Sequence, residues 1–233
     1  MPISKKANTQ TTVKHKGQEI DAVTKFVYLG SEMKAEGGSE SEIRRRIALA
    51  RSTFSRLLKI FKRHDIKLKI KMRALNTCMI PVLIYGCEPW SITKTMENRL
   101  NAAENKWIRR ILRISYKDHI TNESIRQRTQ QPLISDIIKK RRMKWAGHVL
   151  RMDENRNPRK IYNYKPDGKR AVGRPKRRWI DCLEEDLKAA GITIYGKTEG
   201  RQRTKLEELA KSRDVWSNVI MKSMTGYSQR IIT

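Results

Sequence analysis

Apolar residues along this chain recur mainly at helical spacing. Ile43, Ile47, Ala50, Phe54, Leu57 and Phe61 follow one another in alternating steps of four and three, which is one stripe of an amphipathic helix. Ser39 with Glu42 has the spacing of a capping box at its start. Arg44, Arg45, Arg51, Arg56, Lys59 and Lys62 fall on the opposite face. A second helical stretch over about 67–80 carries Leu68, Met72, Leu75, Cys78 and Met79, and Pro81 interrupts it. The following VLIYG run fits helix or strand and ends at Gly86 and Pro89. A third helix is predicted over about 94–114, with Met96, Leu100, Ala103, Trp107, Ile111 and Ile114 on one face. A short one follows near 121–129, capped by Thr121 or Asn122. Residues 133–151 read as a helix with Ile134, Ile138, Trp145 and Val149 facing inward. After a loop, helices resume at about 176, with Trp179, Leu183, Leu187 and Ala190 inward, and at 201–224, with Leu206, Leu209, Trp216, Val219 and Ile220 inward.

The beginning of the chain differs. Residues 11–33 read as strand, turn, strand: a β-rich TTVKH, a turn at Lys16-Gly17-Gln18, and Thr24–Met33 with alternating Phe26 and Tyr28. Gly37-Gly38 then breaks the chain. The fold class is α+β, predominantly α. Expected divisions are a disordered start at 1–10, a hairpin at 11–38, a helical bundle at 39–152, a basic loop at 153–175, C-terminal helices at 176–225 and a tail at 226–233.

Charge narrows the function. Among 233 residues there are 52 Lys or Arg and 24 Asp or Glu, a net charge of +28. A chain this basic repels itself unless a polyanion partners it, nucleic acid first and an anionic membrane surface second. No apolar run approaches the roughly 18 to 20 residues that span a bilayer, so no membrane partner is expected. The opening MPISKKANTQTT has no apolar core of a secretory signal, and three cysteines cannot all pair. The expectation is a nuclear or cytoplasmic, not a secreted, protein.

The cations concentrate. Residues 139–178 hold sixteen Lys or Arg against Asp153, Glu154 and Asp167. Such a stretch can follow a phosphate backbone. Trp145, His148, Tyr162, Tyr164 and Trp179 are interleaved with it. A flat ring beside Arg suits stacking of single-stranded bases. The two tryptophans equally suit anchors of helices into a core, which is the preferred reading. His148 suits a phosphate donor or a half-buried structural residue. Val172-Gly173-Arg174-Pro175 suits a minor-groove arm or a basic loop leading into a helix.

Enzymatic motifs are missing. The sequence has no GxGxxG, no GxxxxGK[ST], no HExxH and no adjacent pair of aspartates. Its four histidines lie far apart, and Cys78 and Cys87 match no common zinc spacing. The acidic clusters at 184–186 and 207–208 read as solvated helix faces. Cys87, without a neighbouring histidine in sequence, reads as packing at a tight chain reversal.

The order of short motifs carries a resemblance. FVYLGSEM, EIRRRIALARSTFSRL, VLIYGCEPW, RRMKWAGHVLRM, GKRAVGRPKRRW and DVWSNVI resemble the C-terminal part of LINE-type, non-LTR retrotransposon polyproteins, the endonuclease–reverse transcriptases, over about residues 11–221. The resemblance implies that Phe26–Gly30 corresponds to the primer-grip hairpin and that the helices behind it form a thumb-like bundle with a basic C-terminal region. In that family the catalytic Tyr/Phe-x-Asp-Asp box, which uses Mg²⁺, precedes the primer grip, and the endonuclease lies further upstream. The chain would then be a fragment of a transposable-element protein, catalytically silent alone and needing no cofactor itself. No catalytic or metal-binding residue is assigned. The nucleic-acid-binding residues expected are Tyr28, Gly30, Arg141, Arg142, Lys144, His148, Arg151, Lys169, Arg170, Arg174, Lys176, Arg177 and Arg178. The partners expected are template RNA and primer DNA. The alternative is a free-standing basic RNA- or DNA-binding protein with no polymerase role.

Overall fold

The computed structural model describes residues 13–20, 23–35, 37–164, 173, 176–192 and 206–232. The architecture is α+β and predominantly helical. The chain divides into two compact units, Met1–Gly86 and Cys87–Thr233. The boundary falls inside the stretch 39–152 that was expected as one bundle.

The first unit opens with two separate antiparallel hairpins, not one. β1 (Val13–His15) pairs with β2 (Gln18–Ile20), and β3 (Lys25–Tyr28) pairs with β4 (Ser31–Lys34). The stretch 24–33, expected as a single strand, folds back on itself because Leu29 and Gly30 form a two-residue turn. Both have positive φ, 46° and 79°, which matches the twist of a tight hairpin. The register sets Phe26 against Met33 and Tyr28 against Ser31.

α1 (Glu40–Lys62) buries Ile43, Ala50, Phe54 and Phe61, with the two phenyl rings stacked at 5.1 Å. Ser39 precedes it without a side-chain capping bond, so the expected capping box is not formed. Glu42 is buried and turned toward the β3–β4 hairpin instead. α2 (Leu68–Ala74) runs into a π-helical turn (Leu75–Met79) and then α3 (Ile80–Leu83). Pro81 lacks the N–H that an α-helix needs, and the wide turn just before it absorbs the mismatch. The ambiguous VLIYG run is therefore a helix end, closed by Gly86 at φ 63°. Leu75, Met79 and Leu83 complete the core, while Cys78 is exposed, off the apolar stripe expected for it.

The second unit is helical. α4 (Lys94–Leu112) is capped by Thr93 and buries Leu100, Trp107, Ile108 and Ile111. α5 (Asn122–Thr129) is capped by Thr121. α6 (Ile134–Leu150) packs against α4 and against three later helices. α7 (Asn157–Asn163) lies in the region expected as loop, with Pro158 in its first turn, where a missing N–H costs nothing. α8 is Trp179–Ala189, and Gly191 at φ 77° ends it, with the Ile192 N–H donating to the Leu187 carbonyl at 3.0 Å. The chain is helical again over 206–211, and Ser212 separates that turn from α9 (Arg213–Ile232) while accepting from the Val215 N–H. One core cluster joins Met143, Ala146, Leu150, Leu183, Leu187, Leu206, Ala210, Trp216, Val219 and Ile220.

Candidate nucleic-acid interface

The most basic part of the described chain centres on α6, and its rotation decides which cations reach solvent. The buried arc turns along this helix. Ile134 and Ile138 are buried in the first half, and Met143, Ala146, Gly147 and Leu150 in the second. The inward position of Trp145 expected from the first half therefore fails: Trp145 is 37 % exposed. Arg141, Lys144, Trp145 and His148 share the outward face at i, i+3, i+4 and i+7. Lys144 and His148 are exposed, and Arg141 is half-buried, 3.6 Å from the Glu88 carboxylate. The Trp145 and His148 rings lie 5.5 Å apart, tilted by 48°.

Two devices hold this rotation. Gly147 faces inward, and a Cβ there would come within 2.7 Å of three atoms of the Trp216 indole. The indole Nε1–H donates to the Met143 carbonyl at 2.8 Å through the gap that glycine leaves. Arg142 sits in the apolar stripe, 4 % exposed, and its Nε donates to Asp186 Oδ2 at 2.9 Å. Burial raises the Asp186 carboxyl above its ordinary value despite the pull of the Arg142 guanidinium. Arg142, expected at the nucleic acid, is thus an internal counter-charge, and Asp186, expected on a solvated face, is its buried partner. The signal was in the register: Arg142 stands four residues from both Ile138 and Ala146, inside the buried stripe.

Other expected contacts are also used within the fold. Arg151 is half-buried and donates to the Ala210 carbonyl at 2.9 Å. Arg177 is half-buried and paired with Glu185. Arg178 is half-buried, and its backbone N–H donates to Asp181 at 2.8 Å. Lys176 is exposed. Lys169, Arg170 and Arg174 lie outside the described residues. Trp179 is the anchor it was expected to be, half-buried with its indole N–H on the Glu88 carbonyl at 2.7 Å. Arg159, which sequence reasoning left among the loop cations, is buried and paired with Glu207.

In the first unit, Tyr28 is 59 % exposed beside the Leu29-Gly30 turn. The turn is held by polar bonds. The Gly30 carbonyl accepts from Arg45 Nη1 at 3.0 Å and from Arg46, and the Leu29 carbonyl accepts from the Tyr85 hydroxyl at 3.0 Å. Glu42 receives the Glu32 N–H at 2.9 Å and pairs with Arg46 at 2.6 Å. The Arg46 guanidinium also lies 4.4 Å over the Tyr85 ring.

Among the described residues no group of three or more His, Cys, Asp or Glu side chains is placed to hold a metal ion. Cys87 is buried, and burial with Glu88 beside it pushes its thiol up to about 12, well away from a reactive thiolate. No helix among the described residues is long and apolar enough to cross a membrane.

No protein-family model matches the chain, and no solved structure does. An uncharacterized transposon-derived protein of Caenorhabditis elegans is 28% identical over 213 residues, which cover 89% of this chain and 74% of that protein. The likeness supports a transposon-related origin for the chain.

Proposed function

We propose that the chain is the nucleic-acid-binding, post-catalytic region of a non-LTR retrotransposon reverse transcriptase, which engages primer–template or element RNA and DNA and is catalytically silent by itself. The observation that carries this reading is the concentration of sixteen cationic side chains in residues 139–178. Lys144 and Lys176 are exposed, while Arg142 and Arg159 are buried and paired with Asp186 and Glu207. The ordered motifs and the transposon-derived relative agree with it. The silence rests on the sequence, which contains no adjacent aspartates for a polymerase box.

A salt titration tests the binding. If roughly six phosphates are neutralised, log K against log salt falls with a slope of about −5 on duplex DNA and less steeply on single strands. Replacing Lys140, Lys144, Lys169, Arg170, Arg174 and Lys176 with Gln flattens that slope by about several units, with circular dichroism unchanged. Fluorescence anisotropy reads both. Absence of salt-dependent binding in the folded wild-type chain overturns the proposal. Extension of a DNA primer on an RNA template by the purified chain overturns the silent role.

A further inference from the structure

The five tryptophans of this chain divide four to one. Trp90, Trp107 and Trp216 are 4%, 5% and 3% exposed, and Trp179 is half-buried with its indole N–H bonded to Glu88. Each of these four holds the fold together. Trp145 stands on the solvent side of α6, with a second ring, His148, against it and the exposed ammonium of Lys144 adjacent in sequence. An exposed indole leaves apolar area in water, and here it does so on a cationic face.

We infer that Trp145 is a stacking platform for an unpaired base of single-stranded nucleic acid, with His148 extending the ring surface and Lys144 meeting a flanking phosphate. The inference rests on the nucleic-acid reading above and narrows it to single strands. A base inside a duplex has both faces covered by its neighbours, whereas an unpaired base offers a free face to an indole. The surrounding cations favour a polyanion over an apolar protein surface. The platform is also held in place. The Gly147–Trp216 contact and the Arg142–Asp186 pair fix the rotation of α6 from behind, so little ordering is left for the binding step.

The experiment compares strands of equal charge with and without bases. Oligo(dT) and oligo(U) of about 15 nucleotides, an abasic strand of the same length and a blunt duplex are titrated against the full chain at matched salt. The wild-type chain is expected to bind the base-bearing strands about tenfold tighter than the abasic strand. Trp145 is the most exposed indole, so its emission is quenched as base-bearing strands bind. Trp145→Ala is expected to erase the preference over the abasic strand while leaving the salt slope unchanged, and Trp145→Phe to restore most of it. Equal affinity for base-bearing and abasic strands in the wild-type chain overturns the platform but leaves electrostatic binding standing. An unchanged preference in Trp145→Ala overturns it too, as does a wild-type dimer in sedimentation that this substitution dissociates, which makes the indole a protein contact. Failure of every strand to bind sinks the nucleic-acid reading, and the platform with it.

Discussion

The β3–β4 hairpin and the α6–α8–α9 cluster hold their exposed faces by opposite means. The hairpin leaves Phe26, Val27, Tyr28 and Leu29 more than half exposed and is held at its turn by Arg45, Arg46, Glu42 and Tyr85. The helical cluster buries its apolar side chains and takes charges inside with them, Arg142 against Asp186 and Arg159 against Glu207. A two-stranded hairpin has too little packing to be stable alone. It therefore depends on a few polar bonds, each worth about 1 kcal/mol. The cluster depends on shape and on charges that tolerate no missing partner. The difference teaches that cationic residues in this chain have three employments: clamps on a turn, counter-charges in a core, and a solvent face.

The comparison breaks most visibly at the buried pair. Arg142→Met is expected to destabilise the C-terminal unit by about 3–5 kcal/mol, because Asp186 remains buried without a counter-charge. Adding Asp186→Leu to it is expected to recover most of that loss. Chemical denaturation of the single and double variants reads both, and a harmless single variant would show that the site is wetter than its burial implies.

Next comes the tight contact. Gly147→Ala puts a methyl group where the Trp216 indole lies, so α9 must shift and the Met143 hydrogen bond weakens. The expected cost is about 2–3 kcal/mol, read as a lower melting temperature with altered Trp216 emission. An unchanged melting temperature would mean that α9 is held by its other contacts alone.

Buried charge in the helical unit also imposes a pH dependence. Glu104 is fully buried, with Arg126 Nη2 donating to it at 2.7 Å, yet burial outweighs that partner and moves its carboxyl from 4.5 up to about 7. The folded state then holds more protons than the unfolded state between these values. Stability accordingly falls as pH rises through that window. Glu104→Gln is expected to flatten this fall, measured as melting temperature at pH 5 and about pH 7.5. A slope that survives in the variant would assign the effect to another group.

The smallest effect is expected at the hairpin. Arg46→Gln removes bonds to Gly30 and Glu42, while Arg45 keeps its own. The expected cost is about 1 kcal/mol or slightly more, confined to faster hydrogen exchange over residues 25–34 with the helical unit unaffected. Exchange that rises throughout the chain would mean that the turn supports far more than itself.

The helices were legible because their stripes keep helical spacing over many residues, as in α1 and α4. The second hairpin was hidden because Leu29-Gly30 lacks the Asn or Asp that usually marks a two-residue turn. The outward face of α6 was misread for a different reason. Its burial turns as its neighbours change, so no single stripe runs along it, and Trp145 fits the first half only. Of the expected contact residues, Tyr28, Gly30, Lys144, His148 and Lys176 are exposed. Arg142 is buried and Arg151 half-buried, because a long cationic side chain beside an acidic or carbonyl partner fits a protein interior that composition alone does not reveal.

The hydrogen bond from Trp216 to Met143 also sets a clock. The two residues are 73 positions apart, so the groove over Gly147 stands open until α9 has been synthesised. At about 5–20 residues per second that interval is roughly 4–15 s. During it Met143, Ala146 and Leu150 lack their last cover, and a chain that ends before Trp216 never gains it. A chain that stops short of Trp216 is thus expected to be taken by chaperones and proteases, even though every residue of the exposed α6 face has already been made.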